Sequence, residues 1–260
     1  MIDITKCEEP KLLVVDIETS PIVAYTWGPK WETNIIEFIE QSQIISFSAK
    51  WLNGKQITKV LPDYKGYKAN VLNDELIVKE IHSLLNEADA VITQNGRAFD
   101  TKVINSRFIY HGLKPPAPYK IIDTLTEAKR YLKLPSYKLN DMCEYFGIGT
   151  KLSHEGFDLW KKCIAGVKSS WKKMKRYNAQ DVILTEQLYE KLKPFMRTHP
   201  NFSTFKDLHA CPKCGSEHVQ SRGVTRNSTT IYRRAQCQSC GGWFRYGKNI
   251  QKLEHRRMNV

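Results

Sequence analysis

The sequence lacks any apolar run of the roughly 18 or more residues that a membrane-spanning helix needs. Its first ten residues, MIDITKCEEP, also lack the basic region and the apolar stretch of a signal peptide. We therefore expect a cytoplasmic protein without a membrane partner. Cysteines in that reducing compartment stay as thiols or bind metal, so the seven cysteines argue against a disulfide framework.

Acidic residues are in the minority, because 27 Asp and Glu accompany 40 Lys and Arg, for a formal net charge of +13. The excess is uneven, with a net charge of +8 in residues 206–260 alone. A basic chain attracts polyanions, so nucleic acid is the first partner to expect and an anionic membrane surface the second. The alternative, a basic protein whose charge only keeps it soluble, does not explain why the positive charge is concentrated in one segment.

Apolar stretches and stripes of helical period predict interleaved strands and helices. The predicted strands cover residues 12–18, 35–51, 56–61, 90–93 and 120–123. The predicted helices cover residues 73–87, 100–110, about 124–132, about 138–147 and about 170–192. This order indicates an α/β domain with a mixed sheet, whose first strand carries acidic residues at its end.

The length of 260 residues permits one domain of ordinary size with a small appendage, or a single domain. The pattern favours a main domain over residues 1–195. A polar stretch at residues 196–208 then reads as a linker, and residues 209–260 as a small second domain with a basic C-terminal tail.

Asp16 and Glu18 lie at the end of the first predicted strand, in LLVVDIE. Residues two apart on a strand project from the same face, so the two carboxylates can hold metal ions side by side. Burying both charges costs several kcal/mol per ion unless a cation compensates. The plainer interpretation is a pair of solvated acids at a strand end.

Two further motifs place acids near strand or helix faces. Asp100 ends the segment NGRAFD, which follows the predicted strand 90–93, where ligands gather in α/β sheets. Tyr177 and Asp181 are four residues apart in the last long helix and share its core-facing side. Each motif alone occurs at about chance frequency, and a core tyrosine beside a surface or capping acid is the alternative.

In this order, DIE, NGRAFD and YNAQD resemble the three exonuclease motifs of the DEDD superfamily, the DnaQ-like 3′-5′ exonucleases. The tyrosine of the third motif is typical of the DEDDy branch, and the NxxxFD form of the second resembles that of family B polymerase proofreading domains. The resemblance covers about residues 11–193. It implies a ribonuclease H-like fold, with a mixed five-stranded sheet flanked by helices.

The resemblance also implies functional residues. Asp16, Glu18, Asp100 and Asp181 would ligate two Mg²⁺ or Mn²⁺ ions, hard cations that prefer oxygen ligands. Tyr177 would orient the attacking water, since a tyrosine with a pKa of about 10 is a poor base at neutral pH. Thr19, Asn95 and Phe99 are the candidate contacts to the terminal nucleotide, although Phe99 suits packing equally well.

The implied function is a stand-alone 3′-5′ exonuclease that hydrolyses single-stranded nucleic acid by a two-metal mechanism. DNA is favoured over RNA as the substrate, although motifs do not reveal contacts to the 2′-OH. Two alternatives stay open: a nucleic-acid-binding protein whose nuclease fold has lost activity, and a structure-directed endonuclease on the same fold.

Several other residues have less specific patterns. Asp123 is a fifth candidate acid, at the end of the predicted strand 120–123, and is expected to cap the next helix. Trp27, Trp31 and Trp51 suit base stacking or, more commonly, core packing. A basic cluster beside the third motif suits a phosphate track or a solvated helix face; it consists of Lys168, Lys172, Lys173, Lys175 and Arg176.

Cys211, Cys214, Cys237 and Cys240 form two CxxC pairs with the spacing of a four-cysteine zinc site. Two matched pairs in a short segment fit metal-driven folding better than a redox CxxC motif. The segment resembles a zinc ribbon, which implies one structural Zn²⁺. Cys7, Cys143 and Cys163 are single and read as ordinary core or surface residues.

Basic and aromatic residues interleave around the cysteines, a composition that suits phosphate contacts with base stacking. Because zinc ribbons also dock proteins, a protein partner is the alternative. The residues are Arg222, Arg226, Arg233, Arg234, Arg245, Lys248, Arg256 and Arg257, with Tyr232, Trp243, Phe244 and Tyr246.

Overall fold

The computed structural model describes residues 9–28, 34–205, 209–227 and 230–252. Cys7, Trp31, Arg256 and Arg257 lie outside these ranges, as does the side chain of Lys248. Backbone contacts group the chain into two compact units, Lys11–Leu188 and a second that contains the described residues after Leu188. Within the described ranges, none of the helices combines the length and apolarity needed to cross a bilayer.

The first unit alternates strands and helices. Its strands are β1 Leu12–Thr19, β2 Val23–Thr26, β3 Ile35–Glu40, β4 Ile44–Trp51, β5 Gln56–Val60, β6 Ala90–Thr93 and β7 Lys120–Asp123. The helices are α1 Glu75–Glu87, α2 Asp100–Tyr110, α3 Thr124–Tyr131, α4 Leu139–Tyr145, α5 Asp158–Ile164 and α6 Lys168–Leu192, with a 3₁₀ turn at Leu61–Asp63. The last four residues of α6 are grouped with the second unit.

Five strands form one sheet in the order β5-β4-β1-β6-β7. β1 runs antiparallel to β4 and parallel to β6, and β6 runs parallel to β7, so the sheet is mixed. The predicted α/β class with a mixed five-stranded sheet is confirmed. Because β1 is central, both faces of its apolar run are buried, including Leu13 and Val14.

The prediction of a single strand over 35–51 is wrong. The segment divides into β3 and β4, and β3 pairs with β2 in a separate two-stranded sheet. Every residue of β3 is exposed, whereas six of the eight residues of β4 are buried. Both halves are rich in strand-forming apolar residues, so composition does not show that only the second enters the central sheet. Helix α5 was also not predicted.

A buried ion pair joins β4, α1 and α2. Asp74 is completely buried and accepts two hydrogen bonds from Arg107, at 2.8 and 2.6 Å. It also accepts the backbone N–H of Ile44 at 2.9 Å and contacts His111 Nε2 at 2.7 Å. These partners satisfy a carboxylate that would be costly to bury alone.

Replacing Arg107 with methionine should destabilise the first unit by about 3–5 kcal/mol, because Asp74 would keep a buried charge without its main partner. Urea denaturation followed by circular dichroism would measure the loss. Lys79→Met is the matched control, since its pair with Glu75 is exposed and should change stability little. Equal losses in the two variants would contradict the assignment.

The second unit is a three-stranded antiparallel sheet with a short preceding segment. Its strands are β8 Val219–Arg226, β9 Thr230–Cys237 and β10 Trp243–Lys252, with β9 in the middle. Two 3₁₀ turns, Lys193–Phe195 and Phe202–Phe205, come before the first cysteine. Within the polar stretch predicted as a linker, Phe202 is buried and its N–H donates to Pro212 O at 2.8 Å.

Candidate active site

Three carboxylates converge at the end of β1. Oxygens of Asp16, Glu18 and Asp181 all lie within 4.8 Å of one another, and we call these residues the carboxylate cluster. The two-residue spacing on β1 presents Asp16 and Glu18 on one face, and α6 brings Asp181 to the same face. The cluster could hold a metal ion.

The electrostatics of the cluster are unfavourable without a cation. Burial, together with repulsion by neighbouring acids, raises the pKa of Asp16 well above its ordinary value. Burial and the charge of Asp181 raise the pKa of Glu18 to about 8. Burial also raises the pKa of Asp181, and its buried Oδ1 has no hydrogen-bond partner among the described residues. This donor set and its orphaned oxygen fit a hard cation.

Asp100 lies beside the cluster at the start of α2. Its Oδ1 accepts the backbone N–H of Ile17, between Asp16 and Glu18 in the chain, at 3.1 Å. Burial raises the pKa of Asp100 to about 6, and its charge in turn raises the pKa of Asp16. Asp100 is not one of the three residues whose oxygens converge within 4.8 Å.

Tyr177 is buried one helical turn before Asp181, and its hydroxyl accepts a hydrogen bond from Lys151 Nζ at 3.3 Å. Burial, then the charge of Asp181, raises the pKa of Tyr177 above its ordinary value. A phenol with a raised pKa is protonated at neutral pH, so it can donate a hydrogen bond.

The second motif forms a tight loop between β6 and α2. Asn95 is exposed with a φ of 63°, and the side chain of Phe99 is 42% exposed. A Cβ atom on Gly96 would lie 2.4 Å from the Thr93 side chain, so only glycine fits there. Thr19 is half-buried, just after a register shift in β1.

Asp123 supports this loop and is not part of the carboxylate cluster. Its side chain caps α3 by accepting the Thr126 N–H at 3.1 Å, which confirms the predicted cap. It also accepts the N–H groups of Asn95 and Arg97, at 3.2 and 3.0 Å. The acid therefore fixes the loop that carries the second motif.

Lys151 belongs to the site, although no sequence pattern marked it. Its Nζ lies 2.5 Å from Asp181 Oδ2 and 3.3 Å from Tyr177 OH. Burial alone would lower the pKa of Lys151, but attraction to Asp181 outweighs burial and raises it. The residue lies between α4 and α5, in a segment without regular structure, so only the tertiary fold brings it to the cluster.

Asn178 was also missed. Its Nδ2 donates to Asp16 Oδ2 at 2.6 Å, and its Oδ1 accepts the Ser46 hydroxyl at 2.8 Å. Asn178 is completely buried, so this chain of bonds fixes the orientation of Asp16. A signal was present in the sequence, because Asn178 precedes Asp181 by three residues and shares its helical face.

Aromatic rings surround Tyr177. The ring centroids of His154 and Trp160 lie 4.8 and 6.0 Å from that of Tyr177. The ring centroids of His154 and Trp160 also lie 5.4 Å apart. These rings limit the positions that the phenol can adopt.

Replacing Lys151 with methionine should tighten divalent-cation binding several-fold, because the substitution removes a positive charge beside the carboxylate cluster. Isothermal titration with Mn²⁺ would measure the affinity. Lys173→Met is the control, since Lys173 pairs with Glu155 instead. Weaker Mn²⁺ binding in the Lys151 variant would contradict this prediction.

Residues of the basic cluster differ in whether they form ion pairs, and the tryptophans differ in their exposure. Lys173 and Lys175 pair with Glu155 and Asp63, whereas the other three cations of the cluster are exposed. Trp27 is 93% exposed, and Trp51 packs against the core. A packing role therefore suits Trp51, and a surface role suits Trp27.

In the second unit the four cysteines Cys211, Cys214, Cys237 and Cys240 come together as spacing predicts. Sγ–Sγ distances are 3.7 Å for Cys211–Cys240 and 3.6 Å for Cys214–Cys237. A tetrahedral site with Zn–S bonds of about 2.3 Å has S–S edges of about 3.8 Å. The four sulfurs therefore have the spacing of a tetrahedral metal site.

Each CxxC pair closes in the same kind of turn. The N–H of Gly215 donates to Cys211 O at 2.8 Å, and that of Gly241 to Cys237 O at 3.0 Å. Both glycines have a positive φ, of 68° and 77°, which side-chain-bearing residues rarely adopt. Backbone N–H groups also point at the sulfurs of Cys211 and Cys237 at 3.5 Å.

A mixed five-stranded sheet with acidic residues on its central strand is consistent with a ribonuclease H-like fold. The RNase_H superfamily matches residues 32–193, which make up more than half of the chain. The protein therefore belongs to this superfamily. The matched range begins after β1, so Asp16 and Glu18 precede it. Membership supports a nuclease function.

A solved structure has a similar fold. It is that of the family B DNA polymerase from the hyperthermophilic archaeon Pyrobaculum calidifontis, with a TM-score of 0.52 and 16% sequence identity. The similarity covers 72% of this chain and 25% of the polymerase chain, and at this identity it concerns the fold alone. Comparison with curated proteins finds no match.

Proposed function

We propose that the protein is a metal-dependent 3′-5′ exonuclease that acts on single-stranded nucleic acid, with DNA favoured over RNA. The convergence of Asp16, Glu18 and Asp181 carries this proposal. Asp100 adjoins the cluster and Tyr177 lies one helical turn before Asp181, which follows the order of the DEDDy motifs. Superfamily membership supports hydrolysis of phosphodiester bonds.

Asp16, Glu18 and Asp181, together with Asp100, would hold two Mg²⁺ or Mn²⁺ ions. Carboxylate oxygens are the ligands that these hard cations prefer, and bound cations would offset the burial and mutual repulsion that raise the pKa values of Asp16 and Glu18. Such ions would supply Lewis-acid activation of a water molecule and neutralise charge on the scissile phosphate.

The chain's own residues would orient these groups. Asn178 holds Asp16 through its amide, and the Tyr177 hydroxyl accepts a hydrogen bond from Lys151. Because burial keeps Tyr177 protonated, it would position the attacking water through a hydrogen bond. Lys151 would keep a positive charge beside the reacting phosphate.

The loop of the second motif would receive the 3′ end of the strand. The exposed ring of Phe99 suits stacking on a terminal base, and the exposed Asn95 offers an amide to the same nucleotide. Thr19 would contact the 3′ end through its backbone. These three remain proposed substrate contacts.

We further propose that Cys211, Cys214, Cys237 and Cys240 hold one structural Zn²⁺. The chain would then consist of a nuclease domain at residues 1–195, a linker at 196–208 and a zinc ribbon at 209–260. The ribbon would aid substrate binding, with a protein partner as the alternative.

The direct test is digestion of 5′-labelled strands of DNA and RNA in the presence of Mg²⁺ or Mn²⁺. A ladder that shortens stepwise from the 3′ end is the expected result, and a blocked 3′ end should prevent it. Cleavage of the blocked strand would indicate an endonuclease instead. Binding without cleavage under every metal condition would favour an inactive nucleic-acid-binding protein.

A further inference from the structure

A basic groove in the second unit is not used by the proposed chemistry. It is a cavity of about 820 Å³, large enough for a nucleotide-sized ligand, between the three-stranded sheet and residues 196–213. The side chains that line it include Arg197, Lys213, Arg234, Trp243 and Arg245, and no Asp or Glu is among its lining residues. The groove therefore suits an anion.

Two arginines of the groove lie directly opposite each other. In the β9–β10 register, Arg245 pairs with Arg234, and like charges in this position destabilise a sheet. Within the described ranges no carboxylate forms an ion pair with either guanidinium. Local conflicts of this kind concentrate at functional sites, and a bound anion would relieve this one.

Aromatic rings alternate with the two guanidinium groups. Arg234 lies 5.4 Å from the ring centroid of Trp243, and Arg245 lies 4.6 Å from that of Tyr232. Trp243 is 49% exposed, so part of its ring can still accept a stacked base. Cation–π contacts order the arginines before any ligand arrives.

We propose that the basic groove binds single-stranded nucleic acid, with phosphates on Arg234 and Arg245 and a base on Trp243. Alternating cations and rings match the alternating phosphates and bases of a strand, and only unpaired bases expose a face for stacking. The inference deepens the proposed function, because it names the surface by which the second unit would grip the substrate.

The test measures binding of a fluorescein-labelled oligothymidylate to the full-length, zinc-loaded protein, without Mg²⁺ or Mn²⁺. Arg234→Gln and Arg245→Gln should each reduce the slope of log affinity against log salt by about 0.7. Trp243→Ala should weaken binding on the order of tenfold. Arg233→Gln is the matched control. The sequence grouped Arg233 with the basic residues that suit phosphate contacts, but Arg233 does not line the groove and is exposed on the other face of β9, so the variant should leave the slope nearly unchanged.

Equal effects of the Arg233, Arg234 and Arg245 variants would overturn the proposal. Tight binding of polyglutamate that does not depend on Trp243 would also overturn it, in favour of an acidic protein partner. Hydrolysis of a trinucleotide with Mg²⁺, measured in parallel, tests the exonuclease proposal separately from strand binding by the basic groove. If the groove variants bind the oligonucleotide weakly but the wild-type protein does not hydrolyse the trinucleotide, the binding proposal is supported and the exonuclease proposal fails.

Discussion

Replacing Asp181 with asparagine should lower the rate of strand hydrolysis on the order of 10³-fold or more, the scale on which loss of one preorganised charge at an active site acts. Asparagine keeps the shape of the side chain but removes the charge that would bind a cation. Asp181 Oδ1 is buried and without a partner among the described residues, an arrangement that fits the proposed role in cation binding. Single-turnover digestion of a 5′-labelled strand would measure the effect.

Asp123→Asn is the matched control, because Asp123 also ends a strand of the central sheet but caps α3 instead of joining the cluster. Asparagine is a good cap, so activity should stay within a few-fold of the wild type. Circular dichroism should show both variants folded. If Asp123→Asn lost as much activity as Asp181→Asn, it would be wrong to assign Asp181 to the active site and Asp123 only to the cap of α3.

Removing zinc, or replacing Cys237 with serine, should unfold the second unit and leave the first unit folded. Metal binding supplies on the order of 10–16 kcal/mol of apparent free energy in small four-ligand zinc domains. Among the described residues of its three-stranded sheet, the buried side chains are small, namely Thr230, Ala235 and Cys237, and they cannot compensate for this loss. Hydrogen exchange resolved by segment should show protection lost in residues 209–252 and kept in the central sheet.

Cys163→Ser is the control for this experiment, since Cys163 is buried in the core of the first unit. It should keep one equivalent of zinc by atomic absorption, whereas the Cys237 variant should keep none. A wild-type protein that contains no zinc and forms a disulfide within each CxxC pair would point instead to the redox alternative.

The parts of the site that could be predicted are those held by local geometry. Asp16 and Glu18 share a face because of strand alternation, and Tyr177 meets Asp181 because residues four apart meet on a helix. The four cysteines needed only their spacing. The prediction of a single strand over residues 35–51 is wrong because the first part of this apolar segment pairs in one sheet and the second part in another.

Residues that act across long stretches of chain could not be predicted in this way. Asn178 reaches Asp16 over 162 residues, and Lys151 reaches Asp181 over 30. The opposing pair of Arg234 and Arg245 depends on the register of β9 and β10, which the turn chemistry between them did not reveal.

The sequence by itself determined the α/β class, the acids, the tyrosine and the cysteines, because strand alternation, helical period and ligand spacing act over a few residues. Only the tertiary structure decided which polar groups surround the carboxylates and which cations share the basic groove. Those contacts depend on the packing of distant segments, where neither period nor spacing carries information.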